Sequence, residues 1–195
     1  MLHVGILLFD DVELLDFAGP YEVFSVAAQL HGYALFHVFT ITADGMAIRS
    51  INGLRVQPDF RLGEHPAIDV LILPGGDGTK ALLEQTAVMD WIATTHGQAQ
   101  ITMSVCSGAR LLGKLGLLDG IDCTTHHEVM AHLAQIAPKA LIRPVRYTDG
   151  GKLCTSAGIC AGIDLSLHIV ERLCGAQAAS RTREYMEYGD WVRLP

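Results

Sequence analysis

"MSVCSGARLLGKLG", Met103–Gly116, is the stretch on which the fold turns. It begins inside an apolar run, "QITMSV" (100–105), that reads as a strand, and ends in "SGARLLGKLGLL" (107–118), which reads as a helix with one apolar face. Cys106 stands at the joint, with the small residues Ser107, Gly108 and Ala109 behind it. A strand that turns sharply into a helix holds the intervening side chain up as a nucleophile elbow and aims backbone N–H groups at a developing oxyanion. A helix N-terminus also favours thiolate, so this reading expects an exposed sulfur with a lowered pKa, the fastest of the chain's thiols to react. The bland alternative is a small buried core cysteine.

Working outward, "HVGILLF" (3–9), "LFHVFTITA" (35–43) and "DVLILPG" (69–75) are further strands, separated by helix-like segments at 19–31 and 78–97. Such alternation predicts an α/β protein: a three-layer α/β/α sandwich, flavodoxin-like, around a largely parallel sheet. "RSINGLRVQPD" (49–59) and "VRYTDGGKLCTSAG" (145–158) read as hairpins turning at Asn-Gly and Asp-Gly-Gly, and 161–188 as two helices broken near Cys174–Gly175. With 195 residues, no repeat and no linker, one domain over 1–195 is expected. Met1 opening directly on a strand and "EYGDWVRLP" fading out suggest a complete small protein.

Composition narrows the function classes. A net charge of −7 is a poor basis for binding nucleic acid. No apolar run approaches the ~20 residues of a membrane span, and no signal peptide opens the chain. Five cysteines, odd in number and without C-x-x-C spacing, suggest free thiols in a reducing, cytoplasmic setting.

Two other segments bear on Cys106. "LILPGGDG" (71–78) is a second strand running into a glycine turn, where Gly75 and Gly76 let backbone N–H groups approach a ligand. It matches neither a Walker nor a dinucleotide fingerprint. Beside the thiol, the Gly76 N–H is expected to join that of Ser107 as an oxyanion donor. "FDDVELLDFAGPYEVF" (9–24) is acidic. Asp10 and Asp11 read as solvated; Asp16, just before Gly-Pro opens a helix, is a half-buried carboxylate or a cap, with Glu22 its rival. "TTHHEVMAH" offers His126, His127, Glu128 and His132, yet lacks the H-E-x-x-H order and reads as helix-start histidines. No metal or organic cofactor is expected.

The segments "LLFDDVELLDFAGPYEVF", "LPGGDG", "SVCSGARLLGKLGLLDG", "TTHHE" and "TSAGICAGIDLSLHIVERLCG" together resemble the ThiJ/PfpI superfamily, nearly end to end. This superfamily shares the class I glutamine-amidotransferase-like sandwich. The resemblance is closest to isonitrile hydratases and to the sensor domains of AraC-type regulators. It implies that Cys106 is the nucleophile and Asp16 its acidic partner. Ser107 stands where hydratases usually carry an assisting Thr, and Gly76 matches a backbone donor beside the sulfur. His126 matches a His that those relatives follow with Trp, whereas His127 follows here and alters the pocket wall. Protease-like members have His directly after the nucleophile, so Ser107 argues against a Cys-His peptidase. The resemblance also implies a small-molecule substrate and a homodimer. Three readings compete: a thiol-dependent hydro-lyase acting on isonitriles, a ligand-sensing module, and a glyoxalase- or deglycase-like enzyme.

Overall fold

The structure, a computed structural model, describes residues 1–189; the last six residues of "EYGDWVRLP" lie outside the described residues. β1 (Leu2–Leu7) leads into α1 (Leu14–Gln29) and β2 (Phe36–Thr42). A small antiparallel pair, β3 (Ile48–Arg49) and β4 (Arg55–Val56), precedes the edge strand β5 (Phe60–Arg61). Next come β6 (Val70–Leu73), α2 (Thr79–Leu82), α3 (Thr86–Gln98) and β7 (Ile101–Val105). A 3-10 turn at Cys106–Gly108 opens onto α4 (Ala109–Lys114), β8 (Asp122–Cys123), α5 (Met130–Ile136) and β9 (Leu141–Ile142). The chain continues through β10 (Tyr147–Asp149), β11 (Leu153–Ser156), α6 (Ala161–Cys174) and α7 (Ala176–Tyr185).

The main sheet has the order β10-β11-β7-β6-β1-β2-β5, parallel throughout except for the β10–β11 edge. Its middle strands, "VLIL" and "ITMSV", are buried at every position, which is why they read as unbroken apolar runs rather than alternating ones. From β1 the chain steps to β2 on one side; from β6 it steps to β7 and on to β11 on the other. Right-handed crossovers then place the connecting helices on opposite faces. Accordingly α1, α6 and α7 pack together, and α2, α4 and α5 form a separate group. The expected α/β sandwich is thus observed. No helix among the described residues is long and apolar enough to cross a membrane.

The departures are local. α1 begins at Leu14 rather than Gly19, so Asp16 sits in its first turn and Pro20 lies inside the helix. Because Pro20 has no N–H, the Asp16 carbonyl loses its partner one turn on. Phe17, Gly19 and Pro20 are buried, and packing carries the helix across a pair that locally marks a boundary. The expected helix over 78–97 is divided into α2 and α3. α5 follows the histidines of "TTHHEVMAH" as a helix start requires, and the short parallel pair β8–β9 flanks it.

Candidate functional site

The carboxyl ends of β11, β7, β6 and β1 lie side by side in the sheet, flanking the point where the strand order reverses. Ligands of open α/β sheets bind at such a point, because the loops beyond it diverge and leave backbone groups free. Each of the four strands sends one segment to the site: Ile159 after β11, Cys106 after β7, Gly75–Gly76 after β6 and Asp16 after β1.

Cys106 has φ +55°, a left-handed conformation that a side-chain-bearing residue adopts only when its surroundings impose it. Two contacts impose it here. The Cys106 N–H donates to the Ala157 carbonyl at 3.1 Å, and its carbonyl accepts from Thr125 Oγ1 at 2.7 Å. The turn also needs Gly108, where a Cβ would stand 2.1 Å from the Leu73 carbonyl oxygen. The elbow is therefore present. The sulfur is not on the surface as expected: Cys106 is only 7% exposed, whereas Cys160 is exposed.

Asp16 is wholly buried beside it. Its Oδ2 accepts from the Gly75 N–H at 3.0 Å. Gly75 cannot be replaced without disturbance, since a Cβ there would lie 2.6 Å from Ser107 Oγ and 2.8 Å from Asp16 Oδ2. Oδ1 is buried without a partner at strict hydrogen-bond geometry, although the Cys106 thiol and the Ile159 N–H both lie close enough to stabilise the charge. Burial pushes the Asp16 carboxyl up to about 7, with the charge of Glu13 adding, while the Gly75 N–H, the thiol and the Ile159 N–H hold it down. Glu22, the rival carboxylate, is exposed on α1 and takes no part.

The thiol departs from expectation in the same direction. Burial first, and then the charge of Asp16, push Cys106 up to about 12, against the favourable N–H groups of Ser107 and Ile159. The helix that was to lower it is a 3-10 turn followed by six residues, too short to outweigh desolvation. The resting pair is consequently a protonated thiol beside a carboxylate whose pKa lies near neutrality. Such a carboxylate can take the proton as the sulfur attacks and return it later.

The oxyanion assignment changes as well. The Gly76 N–H donates to Ser107 Oγ at 2.8 Å, and Ser107 Oγ in turn donates to the Gly76 carbonyl at 3.2 Å. Gly76 therefore fixes the Ser107 hydroxyl instead of facing the sulfur. The backbone groups beside the sulfur are those of Ser107 and Ile159. Ile159, itself at φ +49°, was not singled out from the sequence; the one signal for it was its place in "TSAGIC".

A cleft of 410 Å³ opens above these groups, lined by Cys106, Ser107, Gly76, Glu13, Arg110 and His126 among others. His126 forms part of its wall and caps the following turn, its Nδ1 accepting the Glu128 N–H at 3.3 Å. His127 is exposed, with its ring 4.3 Å from that of His126. His132 is held elsewhere, accepting from Arg110 Nε at 3.1 Å. Among the described residues no three His, Cys, Asp or Glu side chains are grouped as metal ligands.

Residues 3–172 match the DJ-1/PfpI family. The chain is 34% identical to an isonitrile hydratase of Pseudomonas putida over 96% of its own length and 78% of that protein's. It is 29% identical to the HTH-type transcriptional regulator GbdR of Pseudomonas aeruginosa, spanning 95% of this chain and half of the regulator. Among solved structures, a ThiJ/PfpI family protein from Pseudomonas syringae superimposes with a TM-score of 0.88 at 26% identity, over 99% of this chain and 77% of the other. Drosophila melanogaster DJ-1beta shares the fold, with a TM-score of 0.83 at 20% identity, over 96% of this chain and 98% of that one. An elbow cysteine after β7 and a buried aspartate after β1, with β6 between them, thus sit within a match that runs through most of the sequence, and the chain belongs to the DJ-1/PfpI family.

Proposed function

We propose that the protein is a cysteine-dependent hydro-lyase that hydrates small isonitriles to N-substituted formamides. The observation that carries this reading is the contact between the Cys106 thiol and a buried Asp16 whose pKa lies near 7. The similarity to isonitrile hydratase across 96% of the chain points to the same substrate class.

The terminal carbon of an isonitrile accepts a soft nucleophile. Cys106 sulfur bonds to it as Asp16 takes the thiol proton, and Asp16 then delivers that proton to the same carbon, giving a thioimidate. Asp16, again a carboxylate, takes a proton from water as the water attacks. Asp16 hands that proton to the imine nitrogen; the C–S bond then breaks as the hydroxyl proton passes by way of Asp16 to the sulfur, and the formamide, now bearing its N–H, leaves. Isonitrile plus water equals formamide, so the reaction needs no redox partner. Ser107, fixed by Gly76, orients the water. The N–H groups of Ser107 and Ile159 favour negative charge at the sulfur. Gly75 keeps Asp16 in place, and His126 forms one wall.

Incubation with a panel of isonitriles, with formamide followed by chromatography, tests the proposal. Turnover that vanishes in Cys106→Ala and falls steeply in Asp16→Asn supports it; none with any isonitrile overturns it. A second reading, a ligand-sensing domain, is favoured by the match to one half of GbdR. It expects saturable binding without turnover, and binding that survives loss of the thiol. The proposal includes a single domain, from the length and the lack of a linker, a reducing cytoplasmic setting, from the cysteine usage, and a homodimer, from the family resemblance.

A further inference from the structure

Arg110 lies four residues beyond Cys106, lines the same cleft and is 7% exposed. Its Nε donates to His132 Nδ1 at 3.1 Å and one Nη1 proton to Thr79 Oγ1 at 2.9 Å. Thr79 Oγ1 in turn donates to the Gly76 carbonyl at 2.7 Å, so the guanidinium is tied to the loop that fixes Ser107. Arginine has five N–H donors. Nη2 has no partner among the described residues, and no carboxylate there forms an ion pair with Arg110. Asp77 on the rim attracts Arg110 without touching it, its carboxylate being engaged by Lys80 at 2.9 Å. A guanidinium buried with no ion-paired carboxylate is costly: Asp77 attracts it only from a distance, and both of its direct anchors are neutral or polar groups that orient it. The rest of its planar fork suits the two oxygens of a carboxylate.

We propose that the electrophile taken by this cleft carries a carboxylate, held by Arg110 while the reactive carbon meets Cys106. Resting on the hydratase reading, the substrate class becomes small isonitriles that bear a carboxylate. The rim also presents Glu13 and Glu128, which repel an anion, and Lys80, whose charge is taken up by Asp77 at 2.9 Å. Discrimination then works in both directions: a carboxylate is admitted at the Arg110 end and disfavoured elsewhere.

Two alkylating reagents of nearly equal size, iodoacetate and iodoacetamide, test the carboxylate site without any isonitrile. At each thiol the sulfur–carbon bond forms, iodide leaves and the thiol proton is released, at Cys106 to Asp16. Rates at Cys106 and at the exposed Cys160 are read from the same sample by mass spectrometry. The iodoacetate-to-iodoacetamide ratio at Cys106 is expected to exceed that at Cys160 by about 10- to 100-fold, the worth of a hydrogen-bonded charge. Arg110→Met should bring it down to the Cys160 value, and Arg110→Lys should leave an intermediate ratio. If Arg110→Met does not fold, Arg110→Lys decides. A Cys106 ratio no higher than that of Cys160, or one unchanged by the Arg110 substitutions, overturns the inference. Failure to hydrate isonitriles leaves this ratio readable, so the two proposals fail separately.

Discussion

Two buried cysteines in this molecule each face an aspartate, and they differ in everything that matters for chemistry. Cys106 faces Asp16 at the end of β7; Cys154 donates to Asp149 Oδ1 at 3.5 Å within the β10–β11 hairpin. Burial, followed by the neighbouring carboxylate, pushes both thiols up to about 12. The aspartates diverge. Burial raises Asp149 too, but His168 at 2.7 Å, the Gly151 N–H at 2.8 Å and Arg172 at 2.9 Å outweigh it and hold its pKa below the usual value. Asp16 has no cation beside it and rises to about 7. A carboxylate held by an arginine, a histidine and a backbone N–H is a weak base, whereas a desolvated one is strong enough to take a proton at neutral pH. Cys154 also sits in a regular strand, while Cys106 is turned by its positive φ toward a cleft. Thiol pKa alone would rank the two alike. The base strength of the partner and the strand-end position separate them.

The sharpest way to break the comparison is turnover. Cys106→Ala should abolish formamide production and Asp16→Asn should lower it by ~10²–10⁴-fold, the range of general acid–base catalysis. Cys154→Ala and Asp149→Asn should remain within about 2-fold of wild type, as changes distant from the chemistry do. Equal losses at Cys154 would refute the distinction drawn here.

Acidity offers a second test, in rate and in stability. Since the attack needs ionised Asp16, kcat/KM should fall about tenfold per pH unit below the Asp16 pKa, which is near 7. In stability, the two aspartates should move oppositely. Asp16's folded pKa of about 7 lies above the ~3.9 of an unfolded chain, so its contribution is full below the unfolded value and is lost as pH rises through the folded one. Asp16→Asn should therefore be more stable than wild type at pH ~8 by about 2–4 kcal/mol, the advantage disappearing near pH ~4. Asp149's folded pKa is depressed, so its contribution is present above the unfolded value and is lost on acidification. Asp149→Asn should be the less stable protein at neutral pH. Urea melts at several pH values would read both.

Smaller effects probe the supports. Gly75→Ala forces a methyl between Ser107 and Asp16 and should cost ~1–3 kcal/mol along with most of the turnover. Ser107→Ala should slow turnover by ~10²-fold if the hydroxyl acts in the transition state, and less if it only orients water. Ser107→Thr, which keeps the hydroxyl, should be nearly silent. Steady-state kinetics beside thermal melts would separate catalytic from structural loss.

How much of this was legible in advance depended on how local the cause was. The elbow at 103–109 could be read because its signals adjoin: an apolar run, a small reactive residue, then small residues before a helical pattern. The strands "VLIL" and "ITMSV" were legible because burial on both faces demands continuous apolar runs. The Gly-Pro pair in "DFAGPYEVF" misled, since packing extends α1 through it. The thiol's pKa was misjudged because a helix dipole can be read from sequence while desolvation cannot.

Residue type and near-neighbour spacing suffice for the α/β alternation and the elbow, whereas the pairing of Asp16 with Cys106 was implied by the family resemblance. Only the tertiary structure decided which backbone groups meet that pair. Gly75 is given to Asp16 and Gly76 to Ser107, while Ile159 arrives from a strand more than fifty residues later in the chain. The burial of Arg110 beneath the cleft, with no ion-paired carboxylate among the described residues, is likewise invisible in "SGARLLGK". The physical reason is the same in each case. Partners and solvent exclusion come from the order in which strands lie side by side, and a local pattern carries no information about what will be packed against it.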